Sequence, residues 1–312
     1  MATTRISDAN IFDSAQRTAR LNRFELSRVQ NQVATGKRLE SSADDPGAAA
    51  RIVGLRSALE RVDQFDRNID AGLTQLETAE GSLEDLTDVL IRIRELTVSA
   101  DIEDGQFDLI REEVQQRFDQ LVAIANTRLA DRFLFGGFET ETAPITQTGV
   151  FTDPAPIVAY NGDSGALFLQ VDEGSQVQVN VTARELFLGS ADGDDIADTG
   201  QVNIFDVVQD LINRLDDPAT NGRPADSLAD LDTAIDQVNE IRGRFGARAN
   251  RLETGQAALE SLRVVVEQQR SLVEDADLVE VITELQSREA AFQAALGVTA
   301  RIIQPSLLDF LG

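Results

Sequence analysis

Apolar residues recur every seven positions in four separate stretches of this chain. From Pro46 onward, Leu55, Val62, Ile69, Leu76, Leu83 and Leu90 form one unbroken row. Leu231, Val238, Phe245, Leu252, Leu259 and Val266 form a second row of the same kind. Seven-residue spacing on a helix makes a narrow apolar seam that needs a partner helix. The pattern predicts one long helix over residues 46–100 and another over 227–273. At 1.5 Å per residue the first would span about 80 Å, too long for an ordinary compact domain. Pro46 suits a first helical position, with Asp44 or Asp45 as its cap. A shorter helix is predicted around Leu109, Ile110, Val114, Phe118, Leu121 and Ala125. The two long seams match in length, so side-by-side pairing would bury both and make a rod.

Residues 138–225 have a different character. Val177, Val179 and Val181 alternate with polar residues, which is strand periodicity. Residues 166–171 predict another strand, and Asn161-Gly162 a turn. Residues 202–215 have the spacing of a short amphipathic helix. The expected fold class is therefore mainly α with a small β insertion: an elongated antiparallel helical rod, terminal helices paired, and a β-rich outer domain. The expected division is 1–45 with 274–312 as a terminal helical assembly domain, 46–137 with 226–273 as the rod, and 138–225 as a mainly β surface domain.

The remaining two seams lie at the chain ends. Phe12, Ala19, Leu26 and Val33 form one row, with Ala15, Asn22 and Val29 beside it. Leu278, Leu285 and Phe292 form the other, flanked by Ile282, Leu296 and Ile303. Charge sharpens this picture. Residues 1–40 carry seven basic and four acidic side chains, whereas residues 274–312 carry seven acidic and two basic ones. The ends thus read as helices built to meet. Two short seams interrupted by Asn22 and Glu289 would be marginal alone, so neighbouring subunits are expected to complete them.

Composition narrows the function. Of 312 residues, 42% are hydrophobic but only 5% aromatic, which favours slender helices over a bulky core. A net charge of −26 repels phosphate and argues against nucleic acid as a partner. No stretch reaches the roughly 20 apolar residues of a membrane helix, so membrane insertion is not expected. The first residues lack the apolar core of a cleaved secretory signal. With no Cys there is no disulfide or thiol chemistry.

Catalytic chemistry finds little support. The absence of His removes imidazole proton transfer, Ser–His triads and the common zinc ligands. Gly162, Ser164 and Gly165 have the wrong spacing for a nucleophile elbow. Gly36-Lys37 lacks the first glycine of a phosphate loop. Asp192, Asp194, Asp195 and Asp198 lack the spacing of a calcium loop. No enzymatic activity, cofactor or metal is expected.

Three motifs carry a resemblance. Residues 36–52 (GKRLESSADDPGAAARI) resemble the N-terminal signature of bacterial flagellins and their axial relatives. Residues 90–100 (LIRIRELTVSA) resemble that family's long-helix motif, and residues 274–311 its closing helix. Residues 125–145 (ANTRLADRFLFGGFETETAPI), the YNGDSG turn at Tyr160 and the ending SLLDFLG most resemble the branch that joins hook to filament. The resemblance implies a structural subunit of the flagellum, exported by the type III route without a cleaved signal peptide. Its partners would be a ring of like subunits, another hook-associated protein, flagellin and an export chaperone. A subunit of the filament itself is the alternative within the family. An adhesin on a helical stalk and a cytosolic coiled-coil scaffold are the alternatives outside it.

Overall fold

The computed structural model describes residues 2–39, 41–102, 106–151, 156–194 and 196–311. Three long helices open the chain: α1 (Ala2–Thr35), α2 (Pro46–Ile102) and α3 (Phe107–Ala125). Short strands follow: β1 (Arg128–Leu129), β2 (Arg132–Phe133), β3 (Ile145–Gln147), β4 (Val158–Tyr160), β5 (Phe168–Asp172) and β6 (Ser175–Gln178). Then come α4 (Ala183–Phe187), α5 (Ile204–Asp216), α6 (Pro218–Asn221) and a 3-10 turn (Pro224–Ser227). The chain closes with α7 (Leu228–Glu274) and α8 (Leu278–Leu311). This is the expected fold class, mainly α with small antiparallel ladders.

Local chemistry explains the boundaries. Pro46 opens α2, where a missing N–H costs nothing, and Asp45 caps it by accepting from Ala48 N at 2.9 Å. Asn203 caps α5 by accepting from Phe205 N at 3.0 Å. Gly36 ends α1 at φ +68°, a left-handed C-cap that favours glycine, and its N–H reaches back to Gln32 O at 2.9 Å.

Two compact units result, one of residues 63–260 and one of residues 1–62 with 261–312. In the first, α2 and α7 run antiparallel. Arg94 pairs with Asp232, Arg242 with Glu80 at 2.8 Å, and Gln256 donates to Asp70 at 2.9 Å. Between these polar rungs the heptad rows are buried, from Ile69 through Leu90 on α2 and from Leu231 through Leu259 on α7; in the other unit Val62 and Val266 are buried and Leu55 is half-buried. Leu83, Leu90, Leu231, Val238 and Leu252 are fully enclosed.

An aromatic cluster lies in this same unit. Phe118 of α3 meets Phe205 of α5 edge-on at 5.6 Å, and Phe205 stacks on Phe187 of α4 at 5.3 Å. The strands pair only as two-stranded antiparallel ladders, β1 with β2, β3 with β4 and β5 with β6. Asn180 anchors the last of them: its side chain donates to Gly165 O and accepts from Leu167 N, both at 2.8 Å. Arg248 of α7 donates to Asn180 O at 3.0 Å and so ties this ladder to the long helix.

Candidate functional site

The remaining unit holds the paired ends. Helices α1 and α8 pack against each other. The linker after α1 and the linker before α8 meet at an antiparallel bridge between Lys37 and Asp275, so the two helices run in opposite directions. Val29 (0% exposed), Gln32 and Val281 mark the sides they present to each other. Ala19, Leu26, Val33, Leu285 and Phe292 lie half-buried along this line. Leu278, Ile282 and Leu296 are 49%, 45% and 48% exposed, turned away from the pair's centre. Phe12 and Ile303 fall within helices, but their side chains lie outside the described residues.

A polar hub fixes the base of the pair. Glu274, at the end of α7, is 5% exposed. Its carboxylate takes Lys37 Nζ at 2.7 Å and Arg56 Nη2 at 2.6 Å on the same oxygen, with Arg270 Nε 3.7 Å from the other. Backbone bonds tie the two linkers together around it. Arg38 N donates to Glu274 O at 2.8 Å, and Ala276 N to Gly36 O at 2.9 Å. Arg38 also donates through Nη2 to Val273 O, and Gln32 Nε2 to Arg38 O, both at 2.8 Å. The hydrogen bond from Lys37, helped by Arg56, holds the Glu274 carboxyl below its ordinary range although burial works the other way.

Beyond the Lys37–Glu274 pair at the base, the described residues show no ion pair between the two ends. Among the described residues, the ion pairs within α1 and α8 are local: Arg28 with Glu25 at 2.8 Å, and Arg288 with Glu284 at 3.0 Å. Arg17, Arg20 and Arg23 are exposed on α1, as are Asp277, Glu280 and Glu289 at the acidic end. The α1 surface also shows Leu21 and Phe24, 65% and 67% exposed, and α8 shows Val279 at 77%. These are large apolar side chains on a unit of slender helices, and exposure of that kind marks an interaction surface.

The family follows from matches to both ends of the chain. Residues 6–140 match the bacterial flagellin N-terminal helical region, and residues 228–311 match the bacterial flagellin C-terminal helical region. The chain belongs to the bacterial flagellin family. The family regions take in α1 to α3 on one side and α7 with α8 on the other, so both partners of the terminal pair are family elements.

Relatives of two kinds are similar over nearly the whole chain. Flagellar hook-associated protein 3 of Escherichia coli (strain K12) is 24% identical, covering 93% of this chain and 94% of its own length. The flagellar filament core protein flaB2 of Brachyspira hyodysenteriae is 26% identical, covering 92% of each. The solved flagellar junction protein FlgL of Legionella pneumophila shares the fold at a TM-score of 0.57 and 20% identity, over 72% of this chain and 99% of that one. No described helix of this flagellin-family chain is long and apolar enough to cross a membrane.

The Glu274 hub and the burial of Val29 and Val281 were not singled out from the sequence. Lys37 offered one signal, as the only lysine in the chain. Val29 stood in the row beside the predicted seam, and an antiparallel crossing brings that row inward.

Proposed function

We propose that this chain is a structural subunit of the bacterial flagellum that joins hook to filament through its terminal helices. The observation that carries this reading is the outward-facing apolar row on α8, Leu278, Ile282 and Leu296, beside a helix pair in which, among the described residues, Val29, Gln32 and Val281 are buried. A helix pair with one side left apolar is what a subunit completed by its neighbours requires. The similarity to a hook-associated protein 3 over 93% of the chain supports the position between hook and filament. So do the motifs at residues 125–145 and at the C-terminal end.

In this reading the partners are like subunits in a ring, a second hook-associated protein on one side and flagellin on the other. An export chaperone would cover the apolar rows before assembly, and the chain would leave the cell through the type III route without a cleaved signal. The ends order as they dock, so folding and binding are coupled there. A subunit of the filament itself is the second reading, favoured by 26% identity to a filament core protein over the same length.

Deletion of the gene tests the two together. A missing junction subunit should leave hooks without filaments while flagellin is shed into the medium. A missing filament subunit should remove that flagellin from the medium. Filaments that stay attached would overturn the proposal.

A further inference from the structure

We propose that a groove between the start of α2 and the end of α7 is a docking site for an acidic amphipathic helix of a separate partner protein. Both walls belong to the unit of residues 1–62 with 261–312. There the two helices lie side by side, with Val62 and Val266 buried and Arg56 on Glu274 at 2.6 Å. Beside this contact runs a groove of about 480 Å³, lined by Arg51, Gly54 and Leu55 of α2 and by Gln269, Leu272 and Val273 of α7. Nothing stands within 4 Å of the place a Cβ would take at Gly54, so the α2 wall is bare backbone there. Along α7 the apolar wall continues from Leu272 through Val265 to Leu262, which are 77%, 49% and 47% exposed and recur at helical spacing. The docking requires neither the flagellar position nor the outer face of the terminal pair.

Shape and charge specify the occupant. A groove between two antiparallel helices takes a third helix, whose anchors at i, i+3 or i+4 and i+7 fill it. The row from Leu262 to Leu272 is about 15 Å long, which matches about three turns of helix. No acidic side chain lines the groove, although the chain holds 54 Asp and Glu residues and a net charge of −26. Arg51 stands at its edge. Among the described residues its side chain donates only to Gly47 O, at 3.4 Å, and meets no carboxylate. An unpaired guanidinium beside exposed Leu and Val fits a helix whose apolar anchors are flanked by carboxylates. A second copy of this chain would bring a like net charge of −26, and one arginine at the edge offsets little of that repulsion. A separate helix brings only its own carboxylates.

The test uses the full chain and a fluorescently labelled synthetic peptide of about four turns, stapled to hold the helix that so short a segment would not keep alone. The peptide carries Leu at i, i+3, i+4 and i+7 and Glu beside them; its counterpart carries Lys in place of every Glu. Fluorescence anisotropy reads binding. The Glu peptide should bind, and the Lys peptide should bind on the order of tenfold more weakly. Leu272→Glu should weaken the Glu peptide on the order of tenfold by removing an anchor contact. Arg51→Glu should weaken it about fivefold, and that difference should shrink as salt is raised. Equal binding of the two peptides, or binding that neither substitution weakens, overturns the proposal.

Two further variants place the peptide on the molecule. Ile282→Glu on α8 and Arg20→Glu on α1 should leave its binding unchanged; loss of binding in either would put the peptide on the terminal helices and overturn the proposal. Sedimentation of the unaltered chain alone addresses the other occupant. Self-association that Leu272→Glu abolishes would make a second copy the occupant and overturn the assignment to a separate partner. Helical content by circular dichroism should match the unaltered chain, because Leu272 and Arg51 are exposed. Where Leu272→Glu lowers it, Leu272→Gln takes its place: it should also weaken the Glu peptide, and full binding by it overturns the proposal.

Discussion

Replacing Glu274 by Ala should loosen the base of the terminal helix pair without disturbing residues 63–260. The carboxylate is 5% exposed and accepts from Lys37 and Arg56, whose side chains are 48% and 51% exposed. A hydrogen bond to a charged group contributes about 1.5–3 kcal/mol net. Stranding a buried partner charge would cost more, about 3–5 kcal/mol. Here the stranded cations are half in water and can turn to it, so the lower range applies and about 2 kcal/mol is expected.

That loss corresponds to roughly thirtyfold faster opening. Amide hydrogen exchange reads it at two positions, Arg38 N and Ala276 N, whose bonds hold the two linkers together. Val179 N, bonded to Leu167 O in the other unit, serves as the control and should not change. Unchanged exchange at Arg38 and Ala276, or equal acceleration at Val179, would refute the hub's role. The pH dependence follows from the same group. Its folded-state carboxyl titrates lower than in the unfolded chain, so its stabilisation is present above the unfolded value, near 4.3, and is lost as pH falls through the folded value. The exchange difference between the unaltered chain and Glu274→Gln should therefore hold at neutral pH and close as the solution is acidified through the lowered carboxyl.

Phe292→Asp places a charge in the half-buried line between α1 and α8; secretion should continue while incorporation into flagella stops, and normal incorporation would remove Phe292 from the seam. Phe118→Ala removes the ring at the centre of the aromatic cluster and should destabilise residues 63–260 by about 3–5 kcal/mol in denaturant unfolding; a loss under about 1 kcal/mol would contradict its 0% exposure. Asn203→Ala deletes the α5 cap and should cost about 1 kcal/mol in the same assay, with Asn203→Asp largely retaining it.

The long helices were legible because their signal is redundant. Six apolar positions in register leave one helical reading, and Pro46 marks a start that a helix can use, so α2 begins at the expected residue. The strand expected around residues 166–171 forms at Phe168–Asp172, whereas the turn expected at Asn161-Gly162 does not form, the nearest turn being Glu173-Gly174 between β5 and β6. What was not legible depends on residues far apart in the chain. Glu274 and Arg56 are 218 positions apart, and nothing local distinguishes this glutamate from the other acids in an acidic end. Likewise, a heptad row shows that a helix has an apolar side but not which of two adjacent rows faces the partner. Among the described residues of α1 the fully buried one is Val29, in the neighbouring row, because the crossing with α8 rotates it inward. The aromatic cluster escaped notice for a related reason, since Phe118, Phe187 and Phe205 sit on three elements that only the fold brings together.

Physically, the account rests on a division between a part that closes by itself and a part that does not. Residues 63–260 bury the heptad positions from Ile69 to Leu90 and from Leu231 to Leu259, and an aromatic centre. The terminal pair leaves Leu278, Ile282 and Leu296 half in solvent. Covering such side chains at roughly 25 cal/mol per Å² of apolar area is the driving force expected from a neighbouring subunit. Location of the chain on intact flagella tests the central claim most directly. Gold-labelled antibody against the chain should mark a narrow band where hook meets filament. Label along the length of the filament, or none on the flagellum, would contradict it.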